Sequence, residues 1–595
     1  MCINTITSES VIKAIDDEFR ISAGPGAGKT HWLISHISNV VTNSTRLGKF
    51  GKVACITYTN IAADTINSRL GNSSQHTEVS TLHSFLYRHI IKPYASFLPS
   101  KYELSFEKID GHDDHYVRLK RINDWLSNHK SKAKFKHPYT INQLQKLKNN
   151  QDALINWIRT IYWSMDQESN LELKCKNKEA YYNESGKRKY ISNKIIDTLS
   201  EDLITYKKIF WRKGILHHDD ILFFSYKLIE ENPFILTVIK SKFPYIFIDE
   251  FQDTNPIQSK IISKLKETGV TVGVIGDKAQ SIYGFQGATP SDFDNFISLR
   301  TTQYTIYQNR RSTSSIIDVL NHIRGDIEQT PYRQKNGTLP QLLVGSIYDA
   351  YAYLKGNLGI DEIQIISRDN ISVYNLNRTF NGGVSDVNPI DEIRNIDSNT
   401  ERKNKVINCI TALFFANNFK FKDAVAEIEK NFREILDEDI KRKKALDSLF
   451  TLTANRSKFE EKNIYEFFVF IKENIHSSIS KLTDRGMQKP VYERILYKDI
   501  INQLCTDGEV GNIKTIHKTK GDDFDNVLVH LPDEKILDFL INPDLENNEE
   551  HRVYYVAVSR AKDGLFISVP TLKRKDIEKL SSLFEIVDLY VLAQT

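Results

Sequence analysis

A glycine-rich stretch near the start of the chain, ISAGPGAGKTHWL at residues 21–33, contains the residue types that bind phosphate. Its glycines have no Cβ, so backbone N–H groups can approach phosphate oxygens closely. Its lysine supplies a positive charge for the β- and γ-phosphates, and its threonine offers a hydroxyl to Mg²⁺. The residues predicted to bind the nucleotide are Gly24, Gly26, Ala27, Gly28, Lys29 and Thr30.

Two adjacent carboxylates, Asp249 and Glu250, follow the apolar run Tyr245–Ile248, which is typical of a buried strand. Ligands collect beyond the C-terminal ends of strands in open α/β sheets, so we expect both carboxylates near the phosphate loop. Asp249 and Thr30 would hold Mg²⁺, the former through water. Glu250 would orient and deprotonate the attacking water. The predicted chemistry is hydrolysis of a nucleoside triphosphate.

The elements that position these groups can be identified locally. FRIS before the loop is predicted to be a strand, and HWLISHISNVV after it is predicted to be a helix. This strand–loop–helix order is the context that a phosphate-binding loop requires. Two further apolar runs, QIISRDN and NVLVHLP, are predicted to be buried strands of a second sheet.

The composition indicates several ordinary globular domains. A chain of 595 residues is too long for one core, and 40% hydrophobic with 26% charged residues is typical of globular proteins. The five cysteines lie far apart without a C-x-x-C pair, so neither zinc nor disulfides are expected. No secretory signal pattern and no membrane-spanning apolar stretch is present, so we predict a cytoplasmic protein with no membrane partner.

The charge is unevenly distributed. Residues 118–194 contain 17 Lys and Arg against 7 Asp and Glu, although the net charge of the chain is only +4. Six aromatic residues are interleaved with these bases, which favours a surface that contacts a polyanion over a merely solvated insertion. They are Trp125, Trp157, Tyr162, Trp163, Tyr181 and Tyr182.

Eight motifs follow one another along the chain: AGPGAGKT, ITYTNIAADTI, VSTLHSF, IDEFQDTNPIQ, VIGDKAQSIYGFQGA, NRRSTSSIIDVLN, IKTIHKTKGDDFDNVLV and VYYVAVSRAK. The series resembles that of UvrD/Rep-type superfamily 1 DNA helicases. The resemblance implies an α/β fold with two RecA-like P-loop NTPase lobes, whose parallel sheets are flanked by helices, and two mainly helical insertions. It implies ATP and Mg²⁺ as cofactors. The implied domains are lobe 1A at 1–100 and 196–298, a basic helical insertion 1B at 101–195, lobe 2A at 299–384 and 506–595, and a short helical insertion 2B at 385–505.

The same resemblance implies roles for individual residues. Gln280 would sense the γ-phosphate, and Arg311 and Arg560 would act as two arginine fingers that the second lobe contributes to the transferred phosphoryl group. Further nucleotide contacts are implied for Arg310, Gly521 and Asp523. The DNA-contacting positions are Tyr58, Asn60, His83, Tyr283, Phe285 and His517.

Four positions depart from the family pattern. Residues 1–22 contain no glutamine to read adenine, and Arg310 replaces the tyrosine that commonly stacks on that base, which weakens the prediction of strict ATP specificity. Gln286 replaces an arginine in the third motif, and Asp523 replaces a glutamate. The residues of hydrolysis are all retained.

Two functions from different classes fit these motifs. The first is a translocase moving 3′-to-5′ on single-stranded DNA and acting at junctions of single- and double-stranded DNA. The second is a DNA- or nucleotide-sensing ATPase subunit that regulates a partner nuclease, as in Gabija-type anti-phage defence. About 33 residues follow Lys562, too few for an appended nuclease domain. HHDD at residues 217–220 is predicted to supply a helix N-cap, Asp219 or Asp220, rather than a metal site.

Overall fold

The computed structural model describes residues 3–109, 111–112, 117, 119–135, 144, 147–166, 168–184, 187–284, 287–288, 290–298, 300–369, 372–373, 376, 389–432, 434–435, 437–483, 486–507 and 512–592. The chain forms two units. The first comprises Met1–Arg311, Arg324–Arg333 and Leu545–Arg552, and the second comprises Ser312–Ile323, Gln334–Asp544 and Val553–Thr595.

The strands, in chain order, are β1 (Asn4–Ile6), β2 (Glu18–Ala23), β3 (Val53–Thr57), β4 (Thr77–Thr81), β5 (Tyr162–Met165), β6 (Leu171–Lys174), β7 (Tyr181–Glu184), β8 (Lys187–Tyr190), β9 (Tyr245–Ile248), β10 (Thr271–Gly276), β11 (Thr301–Ile306), β12 (Gln308–Asn309), β13 (Thr330–Pro331), β14 (Gln341–Val344), β15 (Gln364–Ser367), β16 (Ile513–Thr515), β17 (Phe524–His530), β18 (Ala561–Val569) and β19 (Glu585–Asp588).

The α-helices lie at Lys29–Asn43, Asn60–Arg69, Leu82–Leu86, Lys92–Tyr94, Leu119–Asn128, Lys148–Ile158, Asn193–Ser200, Leu203–Trp211, His218–Glu231, Phe234–Lys242, Pro256–Glu267, Pro290–Asn295, Ser314–Ile323, Ile347–Gly356, Pro389–Ile396, Thr400–Asn417, Phe421–Glu429, Glu438–Ala454, Ile464–Asn474, Gln488–Arg494, Tyr497–Asp507, Asp538–Ile541, Glu549–Val558, Arg574–Leu580 and Leu589–Leu592. Among the residues described, no helix is long and apolar enough to cross a membrane.

The first unit is built on a seven-stranded parallel sheet with the order β1-β11-β2-β10-β9-β3-β4. Both faces are covered, which explains the near-continuous apolar character of its strands. In β9, for example, Phe247 packs on one face of the sheet and Ile246 on the other. Strand β11 falls in the range predicted for lobe 2A, yet it pairs with β2 in this first sheet.

The second unit contains a six-stranded parallel sheet with the order β16-β15-β17-β18-β14-β19. Strands β15 and β17 confirm the two apolar runs that the sequence indicated. Leu343, Ile365 and Leu528 from three of its strands share one core. The α/β class, with parallel sheets flanked by helices, is therefore confirmed in both units.

The predicted insertion 1B contains helices and also two antiparallel hairpins, β5–β6 and β7–β8, which the sequence analysis did not predict. Three tryptophans proposed for a polyanion-binding surface are core residues instead. Trp125 and Trp157 are fully buried, and Trp163 is 8% exposed. Trp163 stacks on Phe223 with ring centroids 3.7 Å apart, so burial of the rings takes precedence over the charge pattern around them.

The predicted insertion 2B has its own helical core. Cys409, Leu413, Phe467 and Phe468 are buried in it. The HHDD stretch does begin a helix, His218–Glu231, but its N-cap residue is His217, so neither aspartate is the cap. Asp220 instead reaches back to accept from the His217 N–H at 3.0 Å, as in a capping box.

Candidate nucleotide and DNA site

The glycine loop lies between β2, which ends at Ala23, and the helix that begins at Lys29. Gly28 immediately precedes the helix with φ 79°, a left-handed conformation that glycine adopts without strain. The Lys29 ammonium donates to the Ala23 carbonyl at 3.4 Å. The cation therefore lies over the loop, between the end of the strand and the start of the helix.

Thr30, in the first turn of the helix after the loop, lies close to Asp249, which directly follows β9. The Thr30 hydroxyl donates to Asp249 Oδ2 at 3.4 Å. Burial raises the pKa of Asp249 to about 7, the charge of Glu250 adds to this, and Lys29 opposes it. A hydroxyl and a carboxylate are hard oxygen donors of the kind that Mg²⁺ prefers, so the two residues fit that ion.

Glu250 has an unusual backbone and a close partner. Its φ of 54° lies in the left-handed region, which non-glycine residues rarely adopt. Gln252 Nε2 donates to Glu250 Oε2 at 2.5 Å, while Gln252 Oε1 accepts from the backbone N–H of Asp277 at 2.9 Å. Backbone and side chain together fix where this carboxylate points.

Gln280 lies in the next segment along the site and is buried. Its amide donates to Asp277 Oδ2 at 2.7 Å, and the other carboxylate oxygen forms an ion pair with Arg324 at 2.8 Å. Arg324 and Asp277 are almost completely buried. Arg324, about 50 positions further along the chain, thus anchors the segment after β10. The role of Gln280 as γ-phosphate sensor stays a prediction.

Residues that flank β12 and β13 contact the phosphate loop directly. The backbone N–H of Arg310 donates to the Gly26 carbonyl at 2.8 Å, and Gln329 Nε2 donates to the Pro25 carbonyl at 2.9 Å. A Cβ placed on Gly26 would lie 2.5 Å from Asn309 Oδ1 and 2.7 Å from Arg311 Cβ. The structure therefore brings the predicted first arginine finger beside the loop.

Two contacts fix the position of the Arg310 side chain beside the loop. Its guanidinium carbon lies 3.9 Å from the ring centroid of Tyr332, and its Nη1 forms an ion pair with Glu9 at 2.8 Å. A Cβ on Gly28 would lie 3.8 Å from Arg310 Cδ, so the side chain runs past the end of the loop. The contact of Arg310 with the nucleotide stays a prediction.

The second unit contains the remaining predicted nucleotide residues. Arg560 is buried, and its guanidinium donates to the carbonyls of Val556 and Asp522 at 3.1 and 3.2 Å. Asp523 forms an ion pair with Lys562 at 2.7 Å. Gly521 has a φ of 94°. His517 lies in the 3-10 turn Ile516–Thr519, and the roles of these residues stay predictions.

Two predicted DNA-contacting residues stack on each other in the first unit. The rings of Tyr58 and Tyr283 have centroids 4.7 Å apart and an interplanar angle of 29°. Asn60 is exposed and begins the next helix, which Thr59 caps by accepting from the Ala62 N–H. Phe285, together with Gln286, lies outside the described residues.

His83 lies in a cluster of histidines. Its ring centroid is 5.6 Å from that of His218 and 6.3 Å from that of His112. Burial lowers the pKa of His83 to about 3, and the charges of His218 and His112 add to the shift. Within the described part of the chain no group of side chains is arranged to hold a metal ion.

Several site residues were missed by the sequence analysis. Gln252 was recoverable, because it stands two residues after Glu250 in the same motif. Asn309 flanks the arginine pair and was also within a quoted motif. No local sequence pattern marks Glu9, Gln329 or Tyr332, because each is brought to the site only by folding of distant segments.

The family model of the UvrD/REP helicase N-terminal domain matches residues 4–300. The chain is 26% identical to the ATP-dependent DNA helicase PcrA of Staphylococcus aureus (strain Mu50), over 96% of this chain and 83% of that protein. It is 27% identical to the Gabija protein GajB of Bacillus cereus (strain HuB5-5), over 55% of this chain and 52% of that protein. With the phosphate loop, the paired carboxylates and the two parallel sheets in place, the chain belongs to the UvrD/REP family of ATP-dependent DNA helicases.

Proposed function

We propose that this helicase uses ATP hydrolysis to move 3′-to-5′ along single-stranded DNA and to separate strands at junctions with duplex. One observation supports the coupling of hydrolysis to DNA binding, while the 3′-to-5′ polarity rests on the family resemblance. The Gln252 side-chain amide donates to Glu250, and the backbone carbonyl of Gln252 accepts from the hydroxyl of Ser281 at 3.0 Å, two residues before Tyr283. Tyr283 in turn stacks on Tyr58. A continuous series of contacts thus joins the hydrolytic carboxylate to the aromatic pair.

The hydrolytic step would use residues of the first unit. Lys29 binds the β- and γ-phosphates, and the loop amides surround the phosphate oxygens. Asp249 and Thr30 would hold Mg²⁺, and the ion would supply charge that neutralises phosphate oxygens. Glu250 orients the attacking water and accepts its proton. Arg311 lies beside Gly26 and would stabilise the charge of the transferred phosphoryl group.

The grip on DNA would come from the aromatic pair. Stacking of a base on an aromatic ring contributes about 1–3 kcal/mol and tolerates any base, as movement along a strand requires. Burial raises the pKa of the Tyr283 hydroxyl, so the ring stays neutral at physiological pH. We infer that a base contacts the Tyr58–Tyr283 stack, and that a change at Glu250 after hydrolysis alters this contact through Gln252.

A second function is favoured by the similarity to GajB. In it the chain is a DNA- or nucleotide-sensing ATPase subunit that regulates a partner nuclease in anti-phage defence. The same hydrolytic residues would operate, but their output would be a signal to the partner instead of movement along the strand.

The test is ATP turnover with and without single-stranded DNA, together with strand displacement on 3′-tailed, 5′-tailed and blunt duplexes. We expect stimulation by single strands and displacement of the 3′-tailed duplex alone. Tyr58→Ala and Tyr283→Ala should lose the stimulation but keep basal turnover within about threefold, while the control Tyr348→Ala in the second unit should match the parent.

Three outcomes would count against the motor. Equal ATP turnover with and without DNA would contradict the coupling of hydrolysis to DNA. Displacement of only the 5′-tailed duplex would contradict the proposed 3′-to-5′ polarity. Robust DNA-stimulated turnover without displacement of any duplex, with a nuclease co-purifying, supports the sensor subunit instead.

A further inference from the structure

The β7–β8 hairpin is a basic, exposed element that takes no part in the functions proposed above. Residues 181–190, YYNESGKRKY, contain three basic residues against one acidic residue. All four residues of β8 are exposed. Lys189 forms an ion pair with Glu184, while Lys187 and Arg188 form no ion pair with any residue that the structure describes. The hairpin therefore presents uncompensated positive charge to solvent.

The register of the hairpin decides which side chains share a face. Tyr181 lies opposite Tyr190, and Asn183 lies opposite Arg188. Successive side chains of a strand point to opposite faces, so these four residues lie on one face of the hairpin. We call this the outer face.

The opposite face is turned to the core of the predicted insertion 1B. Ala180 and Ile191, which flank the hairpin, are buried in that core, and Tyr182 packs against it. The Ile191 N–H donates to the Ala180 carbonyl at 2.9 Å, which continues the pairing of the two strands. Asn156 holds β7 in place by donating to the Tyr181 carbonyl at 3.0 Å. The outer face therefore points away from the core on a hairpin that is anchored at its base.

The outer face is an aromatic surface with a fixed cation. The guanidinium carbon of Arg188 lies 4.5 Å from the ring centroid of Tyr181, so the arginine covers that ring. The rings of Tyr181 and Tyr190 have centroids 5.9 Å apart and planes at 56°, so neither ring stacks flat on the other. Tyr190 is 55% exposed. An exposed ring beside a guanidinium is the combination on which unpaired bases stack.

A cross-strand tyrosine pair also stabilises a hairpin, and that alone explains the contact between the two rings. It does not explain three consecutive basic residues on β8, because like charges on neighbouring residues repel one another. A polyanion would neutralise this charge. The charge and the exposed ring together favour a nucleic acid as the occupant over an apolar protein surface.

We propose that the outer face of the β7–β8 hairpin is a second contact for single-stranded DNA, separate from the Tyr58–Tyr283 pair. A base stacks on the Tyr190 ring, and the neighbouring phosphates pair with Arg188 and Lys187. The occupant is an unpaired strand, because a duplex offers the faces of its bases only to the adjacent base pairs. The contact needs no nucleotide, so it goes beyond the proposed hydrolysis and movement.

The test is binding of a fluorescent oligothymidylate to the full chain without nucleotide, at several salt concentrations. Tyr190→Ala should raise Kd at least about fivefold, because stacking of one base contributes that factor or more. Tyr190→Phe keeps the flat ring and should bind within about twofold of the parent. Lys187→Gln should reduce the slope of log K against log salt by about 0.7, the value for one phosphate contact on a single strand. Tyr348→Ala and Lys575→Gln, at exposed positions in the second unit, are the matched controls.

Photo-crosslinking locates the contact directly and does not depend on the stability of a variant. An oligonucleotide that contains 5-iododeoxyuridine should form an adduct within residues 181–194 of the parent. Tyr58→Ala should keep this adduct, because the two contacts are separate. Thermal unfolding of Tyr190→Ala should match that of the parent within a few degrees, since surface substitutions change stability little.

The outcomes separate this inference from the function proposed above. An unchanged Kd in Tyr190→Ala, or the absence of an adduct in the hairpin, overturns the second contact. Equal losses of affinity in Tyr190→Phe and Tyr190→Ala, or an equal loss for a blunt duplex, overturn the stacking of an unpaired base. A parent chain that binds through the hairpin but neither hydrolyses ATP nor displaces a strand supports this contact and contradicts the proposed motor.

Discussion

Gln252 holds the side chain of Glu250 with its Nε2 at 2.5 Å and the backbone N–H of Asp277 with its Oε1 at 2.9 Å. One fully buried amide therefore links the carboxylate of Glu250, the proposed catalytic base, to the segment that leads to Gln280 and Tyr283. Neighbouring packing leaves it little freedom, since a Cβ on Gly276 would lie 2.4 Å from Gln252 Oε1.

Replacing this amide with an apolar group of similar size should uncouple the two segments. We expect Gln252→Leu to lower kcat for ATP about tenfold to a hundredfold, because Glu250 loses its orientation and small misplacements of a catalytic group cost that much. Nucleotide affinity should change little. The measurement is steady-state ATP turnover with single-stranded DNA, and Gln75→Ala at an exposed position is the control. A kcat within twofold of the parent contradicts the linking role.

Substitutions at Lys29 and at Glu250 should affect different steps, the first nucleotide binding and the second hydrolysis. Lys29→Ala removes the charge that binds the phosphates, so nucleotide affinity should fall at least about tenfold. Glu250→Gln keeps the size and removes the base, so kcat should fall about 10²–10⁴-fold with affinity retained. Equilibrium binding of a fluorescent nucleotide, combined with phosphate release, distinguishes the two. Loss of binding in Glu250→Gln would show that this carboxylate mainly holds the loop.

The packing of Gln329 on the loop predicts a rescue. A Cβ on Gly24 would lie 2.5 Å from Gln329 Nε2, so Gly24→Ala should weaken nucleotide binding at least about tenfold through displacement of the loop. Adding Gln329→Ala removes the colliding atoms and should recover part of the loss, with a coupling of about 0.5–3 kcal/mol. Gly356→Ala is the control, because nothing lies within 4 Å of its Cβ. Strictly additive losses would rule out the contact.

His36 should make the first unit sensitive to acid. Its ring stacks on Trp32 at 4.8 Å, and neither ring nitrogen has a partner among the described residues. Burial lowers the pKa of His36 from 6.5 to about 4. Above pH 6.5 the neutral His36 ring makes its full contribution to the stability of the folded state. As the pH falls from 6.5 toward 4 the unfolded chain binds the proton first, and stability is lost.

The His36 contribution should reduce the free energy of unfolding by about 2 kcal/mol between pH 7 and pH 5. His36→Phe keeps an aromatic ring beside Trp32 and Phe247, and it should lose correspondingly less stability over that range. Denaturant titrations at both pH values measure the difference, with the exposed His76→Gln as control. An equal acid response in the parent and in His36→Phe would assign the sensitivity to other groups.

The phosphate loop and its carboxylates could be predicted because their signals are local. β2, the helix at Lys29–Asn43 and β9 lie where the apolar patterns and glycines indicated. The contacts of Asn309 and Gln329 with the loop could not be predicted, since they join residues about 300 positions apart. The tryptophans of the basic stretch were misassigned because basic residues close to a tryptophan in the sequence do not show whether its ring is buried. Trp157, on an amphipathic helix, shows this most clearly.

The first unit is not continuous along the chain, and this has a consequence for how it is made. β11 lies between β1 and β2 in its sheet, and Arg324–Arg333 and Leu545–Arg552 also belong to it. During translation the first sheet therefore stays incomplete until β11 has been synthesised, and the first unit stays incomplete until residue 552 has been added. A fragment ending at residue 300 would leave the β2 edge that pairs with β11 exposed and should aggregate when expressed alone.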